Sequence, residues 1–294
     1  MRYFLELSVN GAVAGALYAL AALSFVVVYK ATRIMNFALG EFIMFATATV
    51  AAGVNAMGLA LVPALAFAGA GMFAVAAGFN RFVLRHLIGR PVIAMIMITI
   101  GFGAFLRAVA AFLFSGVPRD IDLPLPRGTL DVGGVLVSPH ELAAAAIALA
   151  LIGAVSWFFA RTRSGVALRC VADDNQAALA MGIDVRAAFT LVWGLAGLVA
   201  VAAGVLWTYI TGGGFNMVLV GLKVFPIVII GGLDSIAGVI VGAMLIGWIE
   251  AVAAGYLDPI IGGGFSHVTS YLLLIAMLLV RPWGLFGREA IDRP

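Results

Sequence analysis

Charged residues are scarce in this sequence, and so are the side chains that form disulfides and metal sites. Asp, Glu, Lys and Arg together make up 11% of the 294 residues, whereas soluble domains contain about 25%. The single cysteine, Cys170, excludes an internal disulfide, and the scattered histidines His86, His140 and His267 form no zinc motif. The composition therefore leaves no room for a soluble catalytic domain or a multi-cysteine metal site.

Apolar residues fill most of the chain instead. They make up 64% of it, and the mean hydropathy is +1.16. At about 20 residues per span, the sequence predicts an all-α polytopic membrane protein with about eight to ten transmembrane or re-entrant helices. The nine apolar runs lie at 7–28, 34–53, 57–79, 92–114, 139–160, 186–210, 218–232, 235–256 and 267–280. The runs 218–232 and 267–280 are short for a crossing.

The positions of arginine and lysine predict the orientation, because cationic loops stay on the cytoplasmic side of a membrane. If 161–186 is cytoplasmic, alternating crossings place twelve of the 17 cations inside and four outside, with Arg107 within a span. The N-terminus is then periplasmic and the C-terminus cytoplasmic, although a re-entrant 218–232 would change this parity. The predicted outer cations are Arg2, Arg119, Arg127 and Lys223.

Two connections between the apolar runs are long. The predicted outer connection, 115–138, contains the turn sequence DVGG between short apolar runs, which predicts a small surface hairpin. The predicted cytoplasmic connection, 161–186, reads RTRSGVALRCVADDNQAALAMGIDVR. The chain 1–294 is otherwise interpreted as a single transmembrane domain.

The cytoplasmic connection carries the signals of a short, capped helix. Asp173 or Asp174 can cap a helix over 176–181, and Gly182 can end it. The preceding turns present an apolar stripe made of Leu168, Val171 and Ala172. Such a helix needs lipid headgroups or a partner protein to cover its apolar face, and its mixed charges favour a groove in a partner protein.

Nucleotide binding by a P-loop is excluded by the two lysines. A P-loop requires Lys followed by Ser or Thr after a glycine-rich stretch. Lys30 precedes Ala31, and Lys223 precedes Val224. If ATP drives this protein, the hydrolytic subunit is therefore another polypeptide, and this chain is expected to hold no cofactor.

Four motifs in this sequence resemble those of one family. Gln176-Ala177-Ala178, followed after three residues by Gly182, is similar to the EAA-x-x-x-G coupling signature of ABC importer permeases, with Gln in place of Glu. Three further strings resemble permeases of the branched-chain amino acid type, the LivH-like family. They are NFALGEF at 36–42, GLKVFPIVIIGGLDSIAGVIVGAMLIGWIE at 221–250 and RPWGLFG at 281–287.

The resemblance implies an importer permease in the bacterial inner membrane. Its partners would be a second permease subunit, two ATPase subunits that bind ATP and Mg, and a periplasmic binding protein that delivers a small solute. Branched-chain or other hydrophobic amino acids are the expected solute, and urea, short amides or aromatic carboxylates are the alternatives. The residues expected to couple the chain to the ATPases are Leu168, Val171, Ala172, Asp173, Gln176, Ala177, Ala178 and Gly182.

Glu41, Arg107 and Glu250 are charged residues within the apolar runs, where a charge costs at least about 2.5–3.5 kcal/mol at a helix centre. Arg107 is expected to pair with a carboxylate, and Glu250 to serve as a packing partner. Glu41 follows Asn36 and Gly40 in NFALGEF, and this pattern predicts a broken or re-entrant helix whose end faces a cavity.

A second interruption is predicted from Pro226 through GGLDSIAG at 231–238. Paired helix breaks indicate a substrate site near the membrane midplane. The predicted substrate-pathway residues are Tyr18, Asn36, Phe37, Gly40, Glu41, Phe225 and Pro226. A secondary transporter or channel is the competing interpretation, and it would depend on Glu41 and Glu250 for ion coupling.

Overall fold

The computed structural model describes residues 2–86, 91–117, 120–125, 128–132, 135–212 and 217–287. These residues are mostly helical, and the prediction of an all-α polytopic membrane protein is confirmed. The long apolar helices are α1 (Arg2–Thr32), α2 (Leu39–Asn55), α3 (Leu61–Phe82), α4 (Val92–Leu113), α5 (Pro139–Arg161), α8 (Val185–Thr211), α9 (Met217–Gly231), α10 (Ile236–Tyr256) and α12 (Phe265–Val280). The short helices are α6 (Arg163–Asp173), α7 (Asn175–Ala180) and α11 (Asp258–Ile261).

Each predicted apolar run corresponds to one of the long helices. Six of these helices are long and apolar enough to cross a membrane, and α2, α9 and α12 are shorter. Helices α9 and α12 are short, as the runs 218–232 and 267–280 predict. Helix α2 is also shorter than its run 34–53, because residues 33–38 are not helical. Arg33 takes a positive φ of 56° at this break.

The chain forms two compact units. The first unit combines 1–22, 124–151 and 223–294, and the second combines 23–123 and 152–222. In the second unit α2 packs against α3, α4 and α8. The core of that unit is aromatic, with Phe79 stacked on Phe102 at a centroid distance of 3.8 Å and Trp193 against the Phe79 ring at 5.5 Å.

The first unit contains the hairpin that the sequence predicts in the connection 115–138. Strand β1 (Leu130–Val132) pairs with β2 (Val135–Val137) in antiparallel register, with Leu130 opposite Val137. The predicted turn glycines at 133 and 134 lie outside the described residues.

Glycines of the first unit allow its helix backbones to touch, as the spacing of Gly238, Gly242 and Gly247 predicts. A Cβ atom on Gly247 would lie 2.5 Å from the backbone nitrogen of Gly15 in α1. Within the α9–α10 hairpin, a Cβ on Gly238 would lie 2.1 Å from the carbonyl oxygen of Gly231. Side chains at these positions would force the helices apart.

The second predicted helix break does not begin at Pro226, so this part of the prediction is wrong. Helix α9 continues through Pro226 and ends only at Gly231. Proline removes one backbone N–H and crowds the carbonyl one turn earlier, and a packed helix can absorb this as a kink without ending. The interruption is therefore confined to 232–235, where Gly232 has a φ of 102° and Ser235 caps α10 by accepting the N–H of Gly238.

Candidate functional site

Helix α2 begins alongside the middle of α4 rather than at its end. The N–H of Phe37 donates to Thr99 Oγ1 at 3.3 Å, and Glu41 lies against Gly103, near the centre of α4. The side chain of Asn36 accepts the N–H of Ala38 at 3.1 Å and so stabilises the turn that precedes the helix. The predicted helix break at NFALGEF is thus present, and it lies beside the middle of a helix long enough to span a membrane.

Glu41 and Arg107 form an ion pair at this helix start. Arg107 Nη2 donates to Glu41 Oε1, which confirms the expectation that Arg107 pairs with a carboxylate. Glu41 lies in the first turn of α2, where the partial positive charge of the helix N-terminus favours an anion. A Cβ on Gly103 would lie 3.0 Å from Glu41 Oε2, so a glycine at 103 leaves room for this carboxylate.

The ion pair lies in the wall of an open groove of about 490 Å³ in the second unit. The groove is lined by Glu41, Ile100, Ala104, Arg107, Ala108 and Ala111. Its walls are therefore aliphatic except at one place, where a carboxylate and a guanidinium stand next to each other. The side chain of Arg107 is 50% exposed and that of Glu41 10% exposed, so the guanidinium is the more accessible of the two charges.

A second charged cluster lies in the first unit and involves Tyr18, Lys223 and Glu250. Lys223 Nζ donates to Glu250 Oε2 at 2.8 Å and to the Tyr18 hydroxyl at 2.8 Å. The Tyr18 hydroxyl in turn donates to Glu250 Oε2 at 2.9 Å. Lys223 was counted among the predicted outer cations, but it lies six positions inside α9.

Two residues of α12 complete this cluster. His267 Nδ1 is 3.0 Å from Lys223 Nζ and accepts one of its protons, and the Ser270 hydroxyl donates to Glu250 Oε1. An ammonium group has three protons, and here each has an acceptor on a different helix, α1, α10 or α12. The predicted role of Glu250 as a packing partner is thereby supported. Lys223 carried the same signal as Glu250, a charge within an apolar run, and was passed over, whereas His267 and Ser270 had no signal in the sequence pattern.

The connection between α5 and α8 has the capped helix that the sequence predicts. Asp174 Oδ1 accepts the N–H groups of Gln176 at 2.7 Å and Ala177 at 3.1 Å, so Asp174, not Asp173, is the cap of α7. Gly182 follows the helix with a φ of 78°, a conformation that favours glycine. A second cap follows at once, because Asp184 accepts the N–H of Arg186 at 2.9 Å at the start of α8.

The apolar stripe of this connection does not face outward, which corrects the sequence interpretation. Leu168, Val171 and Ala178 are buried within this chain, where α6 and α7 pack on each other and on α8. The stripe therefore holds the connection to its own bundle. Of the other predicted coupling residues, Ala172 is partly buried, and Asp173, Gln176, Ala177 and Gly182 are exposed.

Two apolar residues that the sequence interpretation passed over are exposed on this connection. Leu179 is 60% exposed and Met181 is 82% exposed. Leu179 directly follows the buried Ala178 in α7, and Met181 directly follows the last residue of that helix, so their apolar side chains within the predicted helix 176–181 were the available signal. Together with Gln176 and Ala177 they form an exposed patch, called here the α7 patch.

The predicted pathway residues fall into separate places. Asn36, Phe37, Gly40 and Glu41 lie together at the start of α2, where Gly40 touches the first turns of α9 at Val218 and Gly221. Tyr18 belongs to the charged cluster of the first unit. In α9 Phe225 is partly exposed and Pro226 is buried.

The fold and these sites define a class of protein. Long apolar helices that hold charged pairs between them are typical of polytopic membrane proteins that move solutes, since charges within spans are retained for function. No group of three or more potential metal ligands occurs in the part of the chain that the structure describes.

Comparison with known families gives the particular assignment. The model of the family described as branched-chain amino acid transport system, permease component, matches residues 7–281. The chain belongs to this family. It is a transport subunit rather than an enzyme, and a multi-pass protein of the inner membrane.

Individual relatives agree with the family match. The chain is 29% identical to the high-affinity branched-chain amino acid transport system permease protein BraD of Pseudomonas aeruginosa over 99% of this chain and 98% of that one. It is 29% identical to the corresponding permease protein LivH of Escherichia coli K12, with the same coverage. A probable LivH of Methanocaldococcus jannaschii is 33% identical over 48% of this chain and 46% of its own length. No solved structure matches the chain.

Proposed function

We propose that this chain is the membrane-spanning subunit of an ATP-driven importer for branched-chain or other hydrophobic amino acids. Its membership of the permease family over residues 7–281 carries this proposal. In the proposed complex the chain pairs with a second, related permease subunit, two ATPase subunits hydrolyse ATP, and a periplasmic protein delivers the solute. The chain supplies two alternative packings of its helices, and ATP shifts the balance between them.

The α7 patch is the proposed docking surface for an ATPase subunit. A leucine and a methionine with most of their surface exposed, on a helix fixed by an aspartate cap and a buried stripe, form a rigid apolar projection. Burying two such side chains in a partner groove contributes about 1.5–3 kcal/mol each. Because Leu168 and Val171 anchor the projection to the bundle, a push on the patch is transmitted to α8.

The proposed orientation follows from the same surface. An ATPase in the cytoplasm requires the connection 161–186 on the cytoplasmic side, which is the side that the cation distribution predicts. The N-terminus is then periplasmic and the C-terminus cytoplasmic. The polypeptide 1–294 is proposed to act as one permease domain, since the family match runs through both compact units.

The decisive experiment is reconstitution of the chain with its co-expressed partners. Tagged protein purified from its native host should bring down an ATPase, and proteoliposomes should accumulate radiolabelled leucine only with ATP inside and binding protein outside. If the purified chain alone moves leucine down a sodium or proton gradient, and no ATPase co-purifies, the chain is a secondary transporter. Competition by urea, short amides and benzoate in the same assay tests the other solutes.

The docking surface is tested by charge substitution. Leu179→Asp and Met181→Asp should each abolish co-purification of the ATPase, while the amount of chain in the membrane is unchanged. Met57→Asp is the matched control, because Met57 is also exposed and lies in a connection that the orientation places on the opposite side. Retention of the ATPase by both patch variants would refute the docking role.

A further inference from the structure

We propose that the Glu41–Arg107 groove binds the charged head of a zwitterionic, aliphatic amino acid. This inference rests on the proposed function for its solute, but the site itself is read from the geometry. Glu41 would take the α-ammonium group and Arg107 the α-carboxylate, and the aliphatic walls would take the side chain. The groove has about 490 Å³ of space, within the range of about 300–1,000 Å³ that is typical of small-molecule sites.

Charge balance selects a zwitterion over other ligands. The groove presents one carboxylate and one guanidinium and is otherwise lined by Ile100 and three alanines. A ligand with only a carboxylate would leave Glu41 without a counter-charge in an apolar environment, and a ligand with only an ammonium would leave Arg107 in the same state. A zwitterion adds one charge of each sign, so every charge keeps a partner of opposite sign.

The geometry of Arg107 allows a second partner. A guanidinium has five N–H donors, and the ion pair uses Nη2. Half of the Arg107 side chain is exposed where it lines the groove. It can therefore hold a ligand carboxylate in bidentate fashion while Glu41 remains close.

The position of the groove suits a transport pathway. Glu41 lies in the first turn of α2, and this turn packs beside the centre of α4. Interrupted helices that begin near the middle of a membrane are the usual place for solute sites in transporters. The lining on α4 is formed by one face of that helix, at 100, 104, 107, 108 and 111, so the groove runs along the direction in which a solute would cross.

Photolabelling tests this site without any requirement for ATP. Photo-leucine, a diazirine analogue of leucine that keeps both charged groups, is irradiated with native membranes that contain the tagged chain, and labelled peptides are identified by mass spectrometry. We expect the label on 92–113. Leucine should compete for the label, whereas 4-methylpentanoate and isoamylamine, each with a single charge, should not compete at the same concentration.

Four variants separate ligand binding from a purely structural ion pair. Glu41→Gln and Arg107→Gln should each reduce labelling about tenfold or more, since each removes a charge-assisted hydrogen bond to the ligand. The double variant Glu41→Gln/Arg107→Gln should stay equally low. Ala104→Leu narrows the groove while both charges remain in the chain and should also reduce labelling, whereas Ala154→Leu on the exposed face of α5 is the bulk control and should not.

Each outcome decides the inference. Label elsewhere in the chain, no label in the wild-type protein, or normal labelling in the double variant would overturn it. Labelling as expected combined with no ATP-driven uptake would retain this site and refute the importer. ATP-driven uptake with no label on 92–113 would retain the importer and refute this site.

Discussion

Lys223 links three other helices of the first unit through one ammonium group. Its ammonium group is mostly buried in an apolar helix, yet its three protons meet Tyr18, Glu250 and His267. A buried pair of this kind contributes little net stability compared with apolar residues, but removal of one partner leaves a charge without compensation. The cluster therefore makes the fold sensitive to each of its charged members.

Loss of Lys223 alone should destabilise the protein more than loss of the whole charge pair. Lys223→Met leaves the Glu250 carboxylate buried without a cation, and we expect a loss of about 3–5 kcal/mol in the free energy of unfolding. Lys223→Met/Glu250→Gln should recover most of this loss. The measurement is the unfolding temperature of the detergent-purified protein, monitored by tryptophan fluorescence.

Tyr18→Phe is the matched control for this cycle. It removes one hydroxyl but keeps both charges, so the expected cost is about 0.5–1.5 kcal/mol. A double variant as unstable as Lys223→Met would show that the pair is not the source of the effect.

At this scale the sequence identifies residues but not their partners. Glu41, Arg107 and Glu250 are recognisable because charges inside apolar runs are costly. The partner of Glu250 is Lys223, 27 positions earlier, and that of Tyr18 is 232 positions away. Such pairs depend on which helix faces touch, and a pattern within one helix carries no information about that.

Helix α10 packs on α1 through glycine, and this contact sets the spacing of the two helices. Gly247→Leu would place a side chain where Gly15 N is 2.5 Å from the new Cβ, so we expect loss of the folded protein from the membrane fraction. Gly71→Leu on α3 is the control, because a Cβ there meets nothing within 4 Å. Fluorescence-detected gel filtration of both variants measures the difference, and equal yields would contradict the packing role.

The cap of α7 is predicted to control the transmission of force. Asp174→Ala removes the acceptor for two N–H groups and should destabilise this short helix by about 0.5–2 kcal/mol. In the reconstituted importer, leucine transported per ATP hydrolysed should fall while ATPase activity persists. Asp174→Asn can still cap and should retain coupling. Asp173→Ala removes a neighbouring charge but keeps the Asp174 cap. If Asp173→Ala reduced coupling as much as Asp174→Ala, the proposed role of the cap would be contradicted.

The turn between α10 and α12 is held by Asp258. Its carboxylate accepts the backbone N–H of Ser266 at 2.8 Å and the Ser266 hydroxyl at 2.9 Å, and the backbone hydrogen bond is the main cause of a pKa below the ordinary value of 3.8. A lowered folded-state pKa gives stability that is complete above the ordinary value and disappears as the pH falls through the lowered one. The wild-type unfolding temperature should therefore fall more steeply below about pH 4 than that of Asp258→Asn. Parallel curves would contradict this.

Secondary structure was largely predictable because membrane helices are encoded by length and apolarity. The starts of α7 and α10 were also readable, since Asp174 and Ser235 are cap residues next to helix-forming segments. The path of the chain through Pro226 was not, because packing around α9 decides whether a proline ends a helix. The predicted outward orientation of the Leu168 stripe was wrong for the same reason, since amphipathicity does not tell whether the chain's own helices or a partner protein cover the apolar face.

The residues of the charged cluster lie at similar distances from the ends of α9, α10 and α12, and this indicates how these helices cross the membrane. Lys223 lies six residues after the start of α9, Glu250 six residues before the end of α10, and Ser270 five residues after the start of α12. Helices that alternate in direction bring such positions to the same depth, so the cluster agrees with three successive crossings. Placing Lys223 within α9 also reduces the predicted outer cations from four to three, which strengthens the bias toward a cytoplasmic 161–186.

The orientation can be tested with the single native cysteine. Cys170 is exposed on α6, in the connection assigned to the cytoplasm. A membrane-impermeant maleimide should therefore label the protein in inverted vesicles but not in intact spheroplasts. Cys170→Ser/Met57→Cys moves the thiol to an exposed position that the proposed orientation places on the opposite side, and it should give the reverse result. Labelling of Cys170 in intact spheroplasts would place the α7 patch outside the cell, where no ATPase could reach it.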